Sequence, residues 1–175
     1  VCSGDRCQST LALFPLFIQI SADKNQLFQQ PTMSGSLQIR VIKSSDFQPV
    51  LEFLRLHYYQ EEPLTVGTEP KQQDPEDEKF NMSNIEHGTC LVAELINGDN
   101  KPEIVGAVLA GPKGTDEAEH LFEEAASLGA TKWGKILYFL AGVERDANVY
   151  ERYNVTRALH AHVLGVDVSQ RGKAI

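Results

Sequence analysis

A run of aliphatic residues near the end of the chain gives way to a basic turn, and this junction constrains the fold more than any other stretch. From Ala161 to Val168 the residues Val163, Leu164, Val166 and Val168 are apolar and Ser169 bounds them, which reads as a core strand. Gln170-Arg171-Gly172-Lys173-Ala174 then places two cations and a glycine among residues that can open a helix. In such a turn successive backbone N–H groups converge on an anion, helped by the positive end of a helix dipole. Two named phosphate motifs do not fit. A Walker A loop needs Gly where Asp167 stands and Ser or Thr where Ala174 stands, and no GxGxxG is present.

The rest of the chain is long enough for one domain: 175 residues, 42% of them hydrophobic, can bury a sizeable core. A net charge of −8 argues against a nucleic-acid-binding face, because neutralising phosphates needs clustered cations. An anionic ligand must then be held by a local site, and Arg171 and Lys173 are its candidates.

Residues 1–32 look foreign to the domain. The first internal Met is Met33, directly before the point where charged, alternating sequence begins. Leu11–Ile20 is an apolar run too short to span a bilayer but of signal-peptide core length, without a basic run or a clear cleavage site. The preferred reading is an unprocessed or conceptually translated leader without a fixed place in the fold; a secretory signal is the minority one. Cys2 and Cys7 fall in that leader, so Cys90 is the domain's lone thiol, which suggests a reducing, cytoplasmic setting without a disulfide framework. The sequons at Asn81 and Asn154 then stay unmodified.

Within the domain, Leu37, Ile39 and Val41 alternate with Gln38, Arg40 and Ile42, predicting a first strand with the Leu37–Ile39–Val41 face buried. Ser45-Asp46-Phe47-Gln48 reads as a capping box, and Phe47, Val50, Leu51, Leu54 and Tyr58 recur at helical spacing. That helix should end near Tyr59, since Pro63 disfavours helical geometry at Glu62. Glu61 and Glu62 would then sit at its C-terminal end, where the dipole and their mutual repulsion disfavour ionisation, a setting suited to a general base. A solvated acidic turn is the plainer alternative. Lys71–Lys79 reads as an exposed loop leading into a helix that finishes by Gly88. Thr89–Ile96 and Glu103–Ala110 predict an antiparallel hairpin joined through Asn97–Pro102 and closed by Gly111-Pro112. Two helices follow, Asp116–Ser127 and Lys132–Asn148, the second with Trp133, Ile136, Leu137, Leu140, Val143 and Ala147 on its core stripe. His160 and His162 share one strand face, and without a third ligand in view no metal site is expected. The order of elements is mixed α/β.

Three segments carry a resemblance. Tyr58-Tyr59-Gln60-Glu61-Glu62-Pro63-Leu64, Lys135-Ile136-Leu137 at the opening of a long helix, and Leu164-Gly165-Val166-Asp167-Val168-Ser169-Gln170-Arg171-Gly172 are similar, in order and spacing, to the insect-type arylalkylamine (dopamine) N-acetyltransferases of the GNAT superfamily. Arg171-Gly172-Lys173-Ala174-Ile175 resembles the start of that superfamily's acetyl-CoA pyrophosphate loop, with Ala174 where Gly is usual. The likeness covers about residues 38–175.

It implies a GNAT fold, a mixed and mostly antiparallel sheet flanked by helices, and transfer of acetyl from acetyl-CoA to dopamine, serotonin, octopamine or a similar amine. Direct amine attack in a ternary complex is implied. Glu62 takes the place of the family's general base, with Glu61 raising its pKa or attracting the cation, and Tyr58 and Tyr59 near the substrate. Backbone at Leu164, Val166 and Val168 would pair with the pantetheine arm, and Gln170, Arg171, Gly172, Lys173, Ala174 and Ile175 would receive the pyrophosphate. The family pattern continues past this turn with the other wall of the cleft, so 33–175 looks like the N-terminal part of such a domain, inactive by itself. A monomer without metal, nucleic acid or membrane among its partners is expected. A truncated CoA-binding isoform and an acetyltransferase for polyamines or other small amines are the alternatives.

Overall fold

The computed structural model describes residues 31–32, 35–98 and 101–172. The leader reading for 1–30, with Leu11–Ile20, Cys2 and Cys7, lies outside the described residues, as do Lys173, Ala174 and Ile175. Five antiparallel strands form one sheet in chain order: β1 (Pro31–Thr32), β2 (Gly35–Val41), β3 (Leu91–Ile96), β4 (Glu103–Gly114) and β5 (Arg157–Val166). Pro31 and Thr32 already pair with Ser36 and Gly35, so paired backbone begins just ahead of Met33. Helices α1 (Phe47–His57), α2 (Pro63–Gly67) and α3 (Pro75–Ser83) lie between β2 and β3, and α4 (Glu117–Leu128), α5 (Lys132–Ala147) and α6 (Val149–Tyr153) between β4 and β5. No helix among the described residues is long and apolar enough to cross a membrane.

Two apolar clusters hold these elements. The first joins Val50, Leu51, Phe53 and Leu54 of α1 to Val92 of β3, Ala107 and Leu109 of β4 and Val163 of β5. Each fully buried aliphatic side chain there contributes roughly 1.5–3 kcal/mol. The second joins Leu121 and Ala125 of α4 to Trp133, Ile136, Leu137 and Ala141 of α5, as the helical stripe predicts, though Val143 is left exposed. Phe80 of α3 stands at the margin of this cluster, in ring contact with Trp133 and His162.

The predicted face of β2 is reversed. Ile39 and Val41 are each 46% exposed, whereas Arg40 and Ile42 face α1. The Arg40 guanidinium makes short bonds to Glu94 (2.6 and 2.8 Å) and to Asp46 (2.6 Å). An arginine satisfied on both sides by carboxylates can occupy the inward face, where apolar alternation alone cannot foresee it. Asp46, in a 3-10 turn ahead of α1, also accepts from Lys43 N at 2.8 Å, and so the capping lies two residues before the expected Ser45.

Strand β4 runs on through Gly111-Pro112 to Gly114 instead of closing there. β3 pairs with β4 only as far as Val108, so Pro112 falls on a stretch bonded to β5 alone, and its missing N–H interrupts no ladder between two neighbours.

Candidate active site

Strand β5 is the last of the sheet, and among the described residues no strand pairs with its outer edge. Asp167 N donates to Val105 O of β4 at 2.9 Å, so Val166 turns its carbonyl the other way, where Arg171 Nε donates to it at 2.9 Å. Leu164, also on that edge, is 61% exposed. Strand geometry ends at Val166, two residues earlier than expected. The Asp167 carboxylate accepts from Ser169 N (2.7 Å) and starts a 3-10 turn, Val168–Gln170, which removes Val168 from the strand edge and leaves Gln170 in the turn. Gly172 follows with φ +72°.

The segment after α1 meets this edge. His57, Tyr58, Glu61, Glu62 and Pro63 line an open cleft of about 420 Å3 together with Leu164, Val166 and Arg171. Arg171 ties the two walls, its guanidinium bonding Glu61 at 2.6 Å and the carbonyl of His57 at 3.0 Å. A roomier hollow between α4 and α5, lined by Phe122, Tyr138 and Lys135 among others, lacks such convergent polar groups.

Glu62 does not stand at a helix C-terminus. It is the N-cap of α2, where its carboxylate accepts from Leu64 N (3.0 Å) and Thr65 N (2.5 Å). The expected argument from the dipole of α1 therefore fails, because Pro63 opens a new helix rather than only ending one. The carboxylate still borders the cleft, with about two of its four lone-pair sites uncommitted. Tyr58 lines the cleft as well, whereas Tyr59 is 3% exposed and belongs to the core, its hydroxyl accepting from Asn81 Nδ2 at 3.2 Å. Burial pushes the Tyr58 phenol above its ordinary range, the Glu62 charge adding to this, so Tyr58 keeps its proton and can donate.

Sequence reading missed the carboxyl behind this wall. Asp77 on α3 is buried and accepts from Asn81 Nδ2 at 2.6 Å. Burial pushes it up to about 7, with the charges of Glu62 and Asp74 acting the same way. As pH rises from about 4 toward about 7 the unfolded chain ionises at this residue while the folded carboxyl holds its proton, so stability falls across that window. Asp77→Asn, which keeps an acceptor for Asn81, is expected to lessen that fall by a few kcal/mol. Melts of both proteins at pH 4, 5.5 and 7 check this, and parallel curves would refute the shift.

His160 and His162 stack at 4.4 Å. Burial pushes His162 down to about 3, helped by His160, and leaves its Nε2 without a hydrogen-bond partner. Among the described residues no group of three or more His, Cys, Asp or Glu is placed to hold a metal ion.

No protein-family model matches the chain, and no curated protein sequence matches it. Solved structures do. An agmatine N-acetyltransferase, crystallised as a mutant in its apo form, is 43% identical over 78% of this chain and 63% of its own, with a TM-score of 0.72. The Drosophila melanogaster polyamine N-acetyltransferase, an enzyme that forms N-acetylagmatine, is 42% identical over 78% and 63%, also at 0.72. A mosquito arylalkylamine N-acetyltransferase like 5b is 37% identical over 78% and 64%, again at 0.72. The chain thus spans just under two thirds of the length of these relatives. It has the mixed, antiparallel α/β fold of the GNAT N-acetyltransferases and is similar in sequence to enzymes that acetylate polyamines and arylalkylamines.

Proposed function

We propose that this chain is the N-terminal part of an enzyme that moves the acetyl group of acetyl-CoA to a primary amine. The observation that carries the reading is the cleft in which Glu62, Tyr58 and Pro63 meet Leu164, Val166 and Arg171, about a hundred residues further along the chain. Strand edge and acidic turn thereby share one opening. The edge at Leu164 offers backbone groups to the pantetheine arm, and Arg171 and Gly172 begin the segment assigned to the diphosphate.

Glu62 acts as the general base. An alkylammonium has no lone pair to offer, so its proton passes to the Glu62 carboxylate, directly or through one water. The freed nitrogen attacks the thioester carbonyl, the C–N bond forms, and collapse of the tetrahedral adduct breaks the C–S bond, the surplus proton on nitrogen passing to the departing CoA sulfur to leave the amide and the CoA thiol. Tyr58 contributes to the amine site. Glu61, paired with Arg171, is assigned the lesser role of attracting the cation at the mouth.

The sequence motifs favour an arylalkylamine such as dopamine, serotonin or octopamine. The higher identity to agmatine and polyamine N-acetyltransferases favours a polycationic substrate, consistent with carboxylates at the cleft mouth. Thiol release from acetyl-CoA by the full-length protein decides between them, using dopamine, serotonin, octopamine, agmatine and spermidine in parallel. Turnover with none of these amines would defeat the reading. Binding of acetyl-CoA without turnover would support a non-catalytic CoA-binding isoform instead.

A further inference from the structure

Lys132 opens α5, yet its side chain does not reach solvent: the residue is 6% exposed. Its Nζ donates to the carbonyls of Thr65 (2.6 Å), Pro70 (2.8 Å) and Gln72 (2.6 Å). Three donations use all three protons of an ammonium, so the group is a buried cation held by backbone dipoles. Its position carries two costs. A charge has left water, and it stands at the positive end of α5, where the dipole disfavours cations. What it gains is the negative end of α2 and the loop that follows.

Thr65 is the junction between this cation and the candidate base. Its N–H donates to Glu62 Oε2 at 2.5 Å while its carbonyl accepts from Lys132 at 2.6 Å. The five-residue helix α2 is therefore fixed by a carboxylate at one end and an ammonium at the other. A helix this short has little stability of its own, because nucleation is unfavourable. The connection from Gly67 to Pro75 has no regular structure to replace the clamp.

We propose that Lys132 is a positioning residue for Glu62: by gripping Thr65, Pro70 and Gln72 it holds α2 so that the carboxylate capping that helix stays at the cleft. This rests on the reading of Glu62 as the base. Misplacing a reacting group by about 1 Å costs on the order of 10²-fold in rate.

The test is a cycle in the full-length enzyme, with acetyl-CoA and whichever of agmatine, spermidine, dopamine, serotonin or octopamine it turns over. Lys132→Met is expected to lower kcat by about 10²-fold while leaving KM for acetyl-CoA unchanged. Glu62→Gln lowers kcat alone, and adding Lys132→Met to it should cost little more, since the clamp acts through that carboxylate. If Lys132→Met does not fold, Lys132→Gln carries the same cycle: it is neutral, one atom shorter and cannot donate to all three carbonyls, so the clamp is still broken. Full kcat in the Lys132 variant, or a loss that multiplies undiminished on top of Glu62→Gln, overturns the inference while the base assignment stands. Full kcat in Glu62→Gln by itself removes the base assignment and this inference with it.

Discussion

Glu62→Ala is expected to lower kcat by roughly 10²–10⁴ in the full-length enzyme, the usual scale of general acid–base catalysis. Part of any loss could come from the helix rather than from the chemistry, because Glu62 also caps α2 through Leu64 N and Thr65 N. Losing an N-cap costs about 0.5–2 kcal/mol of stability. Glu62→Gln separates the two roles, since its amide oxygen can still accept from α2 but has almost no affinity for a proton. Equal loss of kcat in both variants, with the larger drop in melting temperature in the alanine form because the glutamine amide oxygen keeps one of the two cap bonds, is the expected pattern. Glu61→Ala should cost far less. That carboxylate is mostly exposed and its bond to Arg171 is a surface pair, worth about 0–1 kcal/mol. If Glu61→Ala proved the more damaging substitution, or if Glu62→Gln retained full turnover, the roles assigned to the two carboxylates would be wrong.

The parts of this site that sequence makes legible are those set by local pattern. The aliphatic run into Val166, the glycine after Arg171, the helix ending before Glu61 and the Lys132–Ala147 stripe each follow from periodicity or turn chemistry. What sequence hides is set by distant partners. Arg40 turns inward because Asp46 and Glu94 meet it there, and the second of these lies 54 residues away. Lys132 looks like an ordinary polar residue at a helix start until the carbonyls of Thr65, Pro70 and Gln72 close around it. Asp77 looks like one more acid in an acidic loop, and only packing of α3 against Tyr59 shows it to be buried. Tyr59 is the converse case. Its place in the Tyr58-Tyr59 pair draws it into the substrate site by analogy, yet its neighbour lines the cleft while it packs beneath. The sequence does carry the signal for both short helices: Glu62-Pro63 and Asp74-Pro75 each put an acid at the N-cap and Pro in the first helical position, the signature of a helix start.

Gly172 gives the second large effect, on acetyl-CoA affinity rather than on rate. Its φ of +72° lies in the left-handed region, and a Cβ built there meets nothing within 4 Å. Substitution therefore creates no clash, and its cost is confined to the backbone. A β-branched residue held at positive φ is strained by about 1–3 kcal/mol, or else the turn relaxes and its N–H groups leave the directions that serve a diphosphate. Either way Gly172→Val should weaken acetyl-CoA binding by roughly 5–150-fold, since 1.4 kcal/mol is a factor of ten. Gly172→Pro should do at least as much, because it removes an N–H and locks φ near −65°. Gly172→Asn is the decisive control: asparagine tolerates the left-handed region, so it should bind nearly as the parent does. Titration calorimetry of the three variants, beside melts showing that the fold survives, measures this. Parent-like affinity in Gly172→Val, or an asparagine variant as weak as the valine one, would mean that the conformation of this turn is not what receives the cofactor.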